Sequence, residues 1–539
     1  MKLLLLNDTF FGSTLERRDI QILRVGPGAG NDICFDPERD NLREVLCQAG
    51  FRPDVVLQID SIDQRVFFNG LEDIDAPRAF YAIDSPINEF WQASWAHHFD
   101  RIWVDQKATC DRMVSEGITW AEWLPLAADE TIYHPPVDDA ERDLDVVFVG
   151  TIDPERRPKR SAILFRLKQI SDLTVIDGKG KRSVPAGEVA DVYRRAKIVL
   201  NELLFDGVNL RTFEAMACGA IVLTEEGRGE GDLFADLDVM RTFNSHNLES
   251  VVAKLLSDPR EQERLSKDSA EVIRDSHLVS LRARHVLNQL DELKKRNERD
   301  TLFSEVQSKW GVWRAGMKWE KVRPTAIVAQ EFLAAHLNQM TLAQKVELFE
   351  ATGNGPQALE LLLGPFRENC LDDDMIPVLA ALALVQGKID LAGDVLGVRN
   401  ASASDLHVAI GNRLYHDGKD LTPGFNRAAG PVSAWSAFEH YQRAFTHDEN
   451  NLAALEAMDR ILEIHHNSEM MLPLWQTWHA RHPRDPEAIR RFINRAKSGY
   501  LNLQADSREG RSAERPFSSS SARSIDRTQS DGQTARNRT

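Results

Sequence analysis

Asp206 opens the stretch in which residue types and spacing suggest chemistry, DGVNLRTFEAMACG from Asp206 to Gly219, and Glu214 stands within it. An apolar run, Ala196 to Asn201, precedes it and reads as a buried strand; Gly207 supplies a turn, and a short helix opens near Asn209 and closes at Gly219. The first-turn amides of such a helix lack intrahelical partners and its dipole favours negative charge, so strand, glycine turn and helix start together form an anion site. Phosphate is the expected guest. A carboxylate on each side of that turn adds acceptors for hydroxyls, although Arg211 and Glu214 alone would also fit an ordinary i, i+3 surface pair.

A second anion-handling arrangement precedes it. The apolar run Leu144 to Val149 ends in Gly150, and Arg156, Arg157, Lys159 and Arg160 gather at the start of the helix that follows. Arg157 or Lys159 is the expected phosphate contact, and the spacing does not choose between them. In the first 140 residues strand-like and helix-like segments alternate, which predicts a mostly parallel sheet with helices on both faces. The strands Lys2–Leu6, Val55–Ile59, Arg78–Ile83 and Arg101–Val104 end in polar residues: Asn7 and Asp8, Asp60 and Ser61, Asp84 and Ser85, Asp105 and Gln106. Ligands of open parallel sheets bind beyond the carboxyl ends of the strands. Asp84 is singled out, because Pro86 would start a helix directly after it, one that runs through Trp91 to His98. His97 or His98 faces a substrate or packs.

The spacing of Asp206 and Glu214 resembles the acidic-x7-acidic signature of glycosyltransferases of the GT-B fold. The string VNLRTFEAMACG, with the apolar Ala220 to Thr224 behind it, is more narrowly similar to the spore-maturation (CgeB-like) glycosyltransferases, as is HHFDRIWVDQ near residue 100. The resemblance implies two Rossmann-like lobes, 1–135 on the acceptor side and 136–295 on the donor side, hinged between Pro125 and Pro136. It implies that Glu214 holds the ribose of a nucleoside-diphosphate sugar, and that Gly207, Asn209, Leu210 and Arg211 lie against diphosphate and sugar. Gly150 with Arg157 or Lys159 would meet the diphosphate, Asp206 the sugar, and His98 the acceptor. The signature leans towards retention at the anomeric centre, whereas inversion would need a base, for which Asp84 is the candidate. No cofactor and no metal is expected, since no D-x-D triplet lies in a suitable loop. A nucleotide-sugar epimerase, or a catalytically silent scaffold, is the alternative.

Composition and the rest of the chain set the context. The 539 residues exceed one core, and a net charge of -17 argues against general nucleic-acid binding. The five cysteines are scattered without a C-x-x-C pair, which suits a reducing cytoplasm. MKLLLL reads as a strand rather than a signal core, and no apolar run approaches a membrane span. DELKKRNERD and the Trp310, Trp313 and Trp319 segment are expected to form a linker over 296–324, with tryptophans packed between domains and two glycines weakening any helix. Residues 325–503 read as all-α helix pairs resembling tetratricopeptide units, a surface for a protein partner or a brace. The Ser- and Arg-rich tail, 504–539, is expected to be disordered.

Overall fold

A computed structural model describes residues 1–493 apart from 29, 62–64, 137–141, 154–156, 179–183, 228–230, 420–430, 465–467 and 487–488. The chain divides into Met1–Leu501 and a tail, Asn502–Thr539. The expected disorder after 504 therefore lies outside the described residues.

The first sheet is built from β1 (Lys2–Leu6), β2 (Gln21–Gly26), β3 (Ile33–Cys34), β4 (Val55–Ile59), β5 (Arg78–Ala82), β6 (Arg101–Val104) and β7 (Ala121–Trp123). Among the described residues their order is β3-β2-β1-β4-β5-β6-β7, with every pair parallel. Leucines fill β1 because both faces of a parallel sheet are covered by helices, here α1 (Leu42–Ala49), α2 (Ser85–Trp95) and α3 (Lys107–Ser115) among others. The second sheet comprises β8 (Leu144–Val149), β9 (Leu173–Ile176), β10 (Ala196–Asn201), β11 (Ile221–Glu225) and β12 (Arg241–Phe243), in the parallel order β12-β11-β10-β8-β9. Helices α4 (Pro158–Leu167), α5 (Ala186–Arg195), α6 (Leu210–Ala217), α7 (Gly231–Phe234), α8 (Leu248–Ser257) and α9 (Pro259–Ser276) accompany it. The strand order reverses between β1 and β4 in the first sheet and between β8 and β10 in the second, and such switch points open a crevice at the carboxyl ends of the strands. Two Rossmann-like lobes are therefore present, as expected.

The lobes are joined within the predicted hinge. Ala128 pairs with Leu278 in an isolated parallel bridge: the Ala128 amide donates to the His277 carbonyl (3.0 Å), and the Val279 amide donates to the Ala128 carbonyl (2.9 Å). Helix α10 (Val279–Glu292) then returns to the first lobe, where Gln289 accepts from Trp103 Nε1 (3.0 Å) and donates to Glu122 (2.9 Å). Arg299 forms a buried ion pair with Asp100 beyond it.

The expected linker is a structural part of the first lobe, and the boundary near 295 is corrected. Helix α11 (Leu302–Lys318) buries Val306, Trp310, Val312 and Trp313 in one core with Phe67, Trp91, Trp95 and Phe99. The glycines that argued against a helix are what let it in. A Cβ at Gly311 would stand 2.8 Å from the Trp91 carbonyl oxygen and 2.9 Å from the Trp95 nitrogen, so the backbones of α2 and α11 touch. Helices α12 (Arg323–Ala335) and α13 (Leu342–Ala351) extend that core through Leu333 and Leu348.

A separate core, from Val346 to Trp478, holds α14 (Gly355–Arg367), α15 (Ile376–Val385), α16 (Ile389–Leu396), α17 (Ala403–His416), α18 (Ala437–His447), α19 (Leu452–Ile464) and α20 (Leu472–Arg481). Helix pairs expected within 325–503 are present as α15 with α16 and α18 with α19. Capping boxes at Thr341, Ser402 and Ser436 fix three of the helix starts. No helix of the described residues is long and apolar enough to cross a membrane.

Candidate functional site

Asn201, at the end of β10, organises the crevice of the second lobe. It is fully buried, and its Oδ1 accepts from Asn209 Nδ2 (2.8 Å) and Arg211 Nη1 (3.0 Å), while its Nδ2 donates to Thr212 Oγ1 (3.1 Å) and Thr224 Oγ1 (3.3 Å). Asn209 Oδ1 accepts the Thr212 amide (3.2 Å) as the N-cap of α6. The amides of Leu210 and Arg211 lie in that first turn, where the helix offers them no partner. Arg211 also donates from Nε to the Val149 carbonyl (3.0 Å), which ties the end of β8 to α6 across the switch point. Gly150 makes that tie possible: its φ is +154° and an added Cβ would stand 2.8 Å from Arg211 Nη2.

Glu214 faces the hinge from the next turn of α6. Burial pushes its carboxyl up to about 7, against the opposing pull of the Tyr133 hydroxyl and of Arg211. Tyr133 carries no signal in the sequence motif, and its place beside Glu214 follows only from the course of the hinge. Asp206 lies exposed at the turn before α6.

The structure separates the two cations that the sequence left equivalent. Lys159 is buried, and its Nζ binds both oxygens of Glu225 (2.8 and 3.1 Å) with Glu202 at 3.7 Å. Arg160 donates from Nε to Glu202 (2.7 Å) and from Nη1 to the Thr151 carbonyl (2.7 Å). This buried four-charge cluster occupies Lys159, which is corrected from a phosphate contact to a structural ion pair. Arg157 differs: its Nη1 is buried with no hydrogen-bond partner. Burial and the neighbouring Arg160 and Arg211 lower its affinity for its proton, with Glu202 and Asp84 acting the other way.

The first lobe presents carboxylates opposite. Asp105, at the end of β6, accepts from the Asp84 amide (2.9 Å), the Ser85 amide (3.1 Å) and Ser85 Oγ (2.5 Å), and so caps α2 from a neighbouring strand. Asp84 takes the left-handed conformation at φ +50° in the turn before α2. Its carboxyl is pushed up to about 7 by burial first and by Asp105 second, while Arg65 and Arg157 oppose the shift. Asp60, at the end of β4, is likewise pushed up to about 7 by burial. Gln106 spans the cleft: its Nε2 donates to the Val208 carbonyl (3.0 Å), and Gly207, at φ +131°, leaves no room for a Cβ against Gln106 Oε1. Asp60, Asp105 and Gln106 were visible as strand-end residues, but which of them touch the second lobe depends on distant partners.

His98 is corrected. It precedes β6 and so sits at the amino end of the sheet, away from the crevice, buried edge-on against Trp95 at 4.6 Å between ring centroids. Burial, reinforced by Arg78 and Lys309, holds its imidazole well below the usual range, so it is a neutral packing residue. Among the described residues no group of three or more His, Cys, Asp or Glu side chains is arranged to hold a metal ion.

Residues 144–288, which span β8 to most of α10, match the family model described as Glycosyl transferase-like. No curated protein sequence matches the chain at a significant level. Similar solved structures include HepE of Anabaena in complex with UDP-glucose, at 12% identity over 54% of this chain and 100% of that one, with a TM-score of 0.42. Sucrose-phosphate synthase of Thermosynechococcus elongatus is 12% identical over 55% and 100% of the two chains, with a TM-score of 0.39. A glycosyltransferase of Rickettsia africae is 8% identical over 55% and 99%, also at 0.39.

Proposed function

We propose that the chain is a glycosyltransferase that moves a sugar from a nucleoside-diphosphate sugar to a hydroxyl group of a glycan or protein acceptor in the cytoplasm, without a metal. The observation that carries this reading is Arg157 Nη1, buried and without a partner beside the helix-start cradle of a lobe that matches a Glycosyl transferase-like family. The diphosphate would take that hydrogen bond together with the first-turn amides of α6, and Glu214 would accept the ribose hydroxyls.

Transfer forms a bond between the acceptor oxygen and the anomeric carbon as the bond from that carbon to the phosphate oxygen breaks. The centre passes through an oxocarbenium-like state while negative charge grows on the leaving diphosphate. Arg157 and the helix start are aimed at that growing charge, and donors fixed in advance stabilise it without reorganising. The acceptor proton goes to Asp84, whose carboxyl, held up to about 7, is a stronger base than an ordinary aspartate and remains partly ionised at neutral pH. Attack assisted by Asp84 as the base is the inverting course, in place of the retention towards which the spacing of Asp206 and Glu214 leans.

A thermal-shift screen with UDP, GDP, ADP, CMP and dTDP tests the donor site, since a ligand that binds only the folded state raises its stability with occupancy. At least one diphosphate should raise the melting temperature. Once an acceptor is in hand, Asp84→Asn should lower kcat by ~10²- to 10⁴-fold, the usual worth of a general base, and leave nucleotide affinity unchanged. Absence of any nucleotide effect would refute the reading.

A further inference from the structure

Gln106 follows Asp105 at the carboxyl end of β6, and its side chain reaches across the cleft to the loop before α6. Its Nε2 donates to the Val208 carbonyl (3.0 Å) and lies 3.5 Å from Asp105 Oδ2. That same carboxylate oxygen accepts the Asp84 amide (2.9 Å), while Oδ1 accepts the amide and the hydroxyl of Ser85. One amide group therefore bridges a loop of the second lobe and the carboxylate that holds the turn of the proposed base.

Both ends of this bridge are anchored. The Asp105 carbonyl accepts from Trp123 Nε1 (3.3 Å) and the Gln106 carbonyl from the Cys110 amide (3.0 Å), so the first lobe fixes their backbone by itself. On the other side Val208 is buried against Gly231, where an added Cβ would stand 2.8 Å from Val208 Cγ2, and Gly207 makes room for Gln106 by lacking a Cβ. Asp84 is the yielding member. At φ +50° it keeps a left-handed conformation that a non-glycine residue holds only where its neighbours over-determine it. Gln106 is itself buried, and its amide can serve both acceptors only at one separation of the lobes.

We propose that Gln106 is a positioning residue, which sets the carboxyl of Asp84 for proton transfer only while the loop at Val208 lies against the first lobe. The inference rests on the reading of Asp84 as the base. Val208 directly precedes Asn209, the N-cap of the helix start proposed to hold the diphosphate. The loop that grips the donor and the turn that carries the base are thus joined through a single side chain. Proton acceptance is confined to the closed cleft, because opening it takes Gln106 away from Asp105 and slackens the Asp84 turn.

Two variants of the full chain test it. Gln106→Met keeps the length of the side chain and removes its donors, and Gln106→Asn keeps the amide but falls one methylene short of Val208. Hydrogen exchange of the free protein, read at the Asp84 and Ser85 amides, should quicken by about two- to tenfold in both, the worth of one hydrogen bond, although Gln106 touches neither amide. In turnover of a nucleotide sugar with water as the acceptor, kcat should fall by a similar factor, while the Kd for the nucleoside diphosphate keeps its wild-type value. Added to Asp84→Asn, Gln106→Met should lower kcat no further, since a residue that acts through the base then has nothing left to place; a merely structural role would give independent losses that multiply. The proposal is overturned by wild-type exchange at Asp84 and Ser85, by a loss that falls on nucleotide affinity rather than on kcat, or by losses that multiply in the double variant. The exchange measurement needs no ligand. Failure of the underlying reading therefore shows separately, as a wild-type melting temperature that no nucleotide raises or as wild-type kcat in Asp84→Asn alone.

Discussion

Arg157→Gln should strengthen the free protein and cripple its ligand binding, a pair of effects that only a preorganised contact produces. In the free protein Arg157 Nη1 is buried without a partner. An orphaned buried donor costs ~1 to 3 kcal/mol, more when charged. Glutamine is shorter and neutral, so its substitution relieves that cost and the repulsion from Arg160 and Arg211, and unfolding stability should hold or rise by ~1 kcal/mol. The bound state reverses the sign. A hydrogen bond to a charged group is worth ~1.5 to 3 kcal/mol, so the diphosphate should bind about ten- to a hundredfold more weakly. Lys159→Gln is the contrast: it takes from Glu225 the ammonium that binds both of its oxygens in the interior, and breaking such a buried pair costs ~3 to 5 kcal/mol of stability. Urea denaturation and calorimetric titration with the nucleotide selected by thermal shift measure both quantities on both variants. Wild-type affinity in Arg157→Gln, or a marked loss of its stability, would refute the assignment.

Other outcomes follow from the same geometry. In the proposed donor site Glu214 accepts two ribose hydroxyls as a carboxylate, and its carboxyl is held at about 7; nucleotide affinity should rise as pH increases from 6 to 8, a rise that Glu214→Gln abolishes. Because the carboxyls of Asp60, Asp84 and Glu214 are raised in the folded state, the stability they contribute is fully present below the unfolded values near 4 and is lost as pH rises through about 7. Thermal melts of the free protein should therefore show falling stability from pH 5 to 8, with a shallower fall in Asp84→Asn. Gly311→Val forces a side chain into the Trp91 and Trp95 backbone and should cost ~2 kcal/mol or more, read by urea denaturation. For the same reason a chain cut after Leu293 uncovers that face of the first lobe and should be recovered insoluble.

The two sheets were legible because parallel strands buried on both faces leave unbroken apolar runs, as in Leu3 to Leu6 and Ile198 to Leu200. Strands β2 and β12 were not, because Arg24 and Arg241 interrupt them and their charges are met by Glu16 and Glu261, partners that the local pattern cannot show. The cradle around Asn209 could be read for a related reason: its capping and its glycine turn are local. The choice between Arg157 and Lys159 depends on Glu225, 66 residues from the lysine, and proximity in sequence says nothing of it. Helix α11 was misjudged from glycine's low helix propensity. Contact between two backbones outweighs that penalty here, and only the partner helix reveals it.

The bridge between Ala128 and Leu278 constrains how the cleft can change. The chain passes from the first lobe to the second and back again, and these two passages are bonded to each other edge to edge. Two pins fastened side by side define a line, and a door hung on them can swing but neither slide nor shear. The gap that Gln106 closes by reaching Val208 is therefore set by one angle. Under the proposed function, a bulky acceptor and a long donor cannot each adjust the opening independently: whichever enters first fixes the aperture that the other must fit.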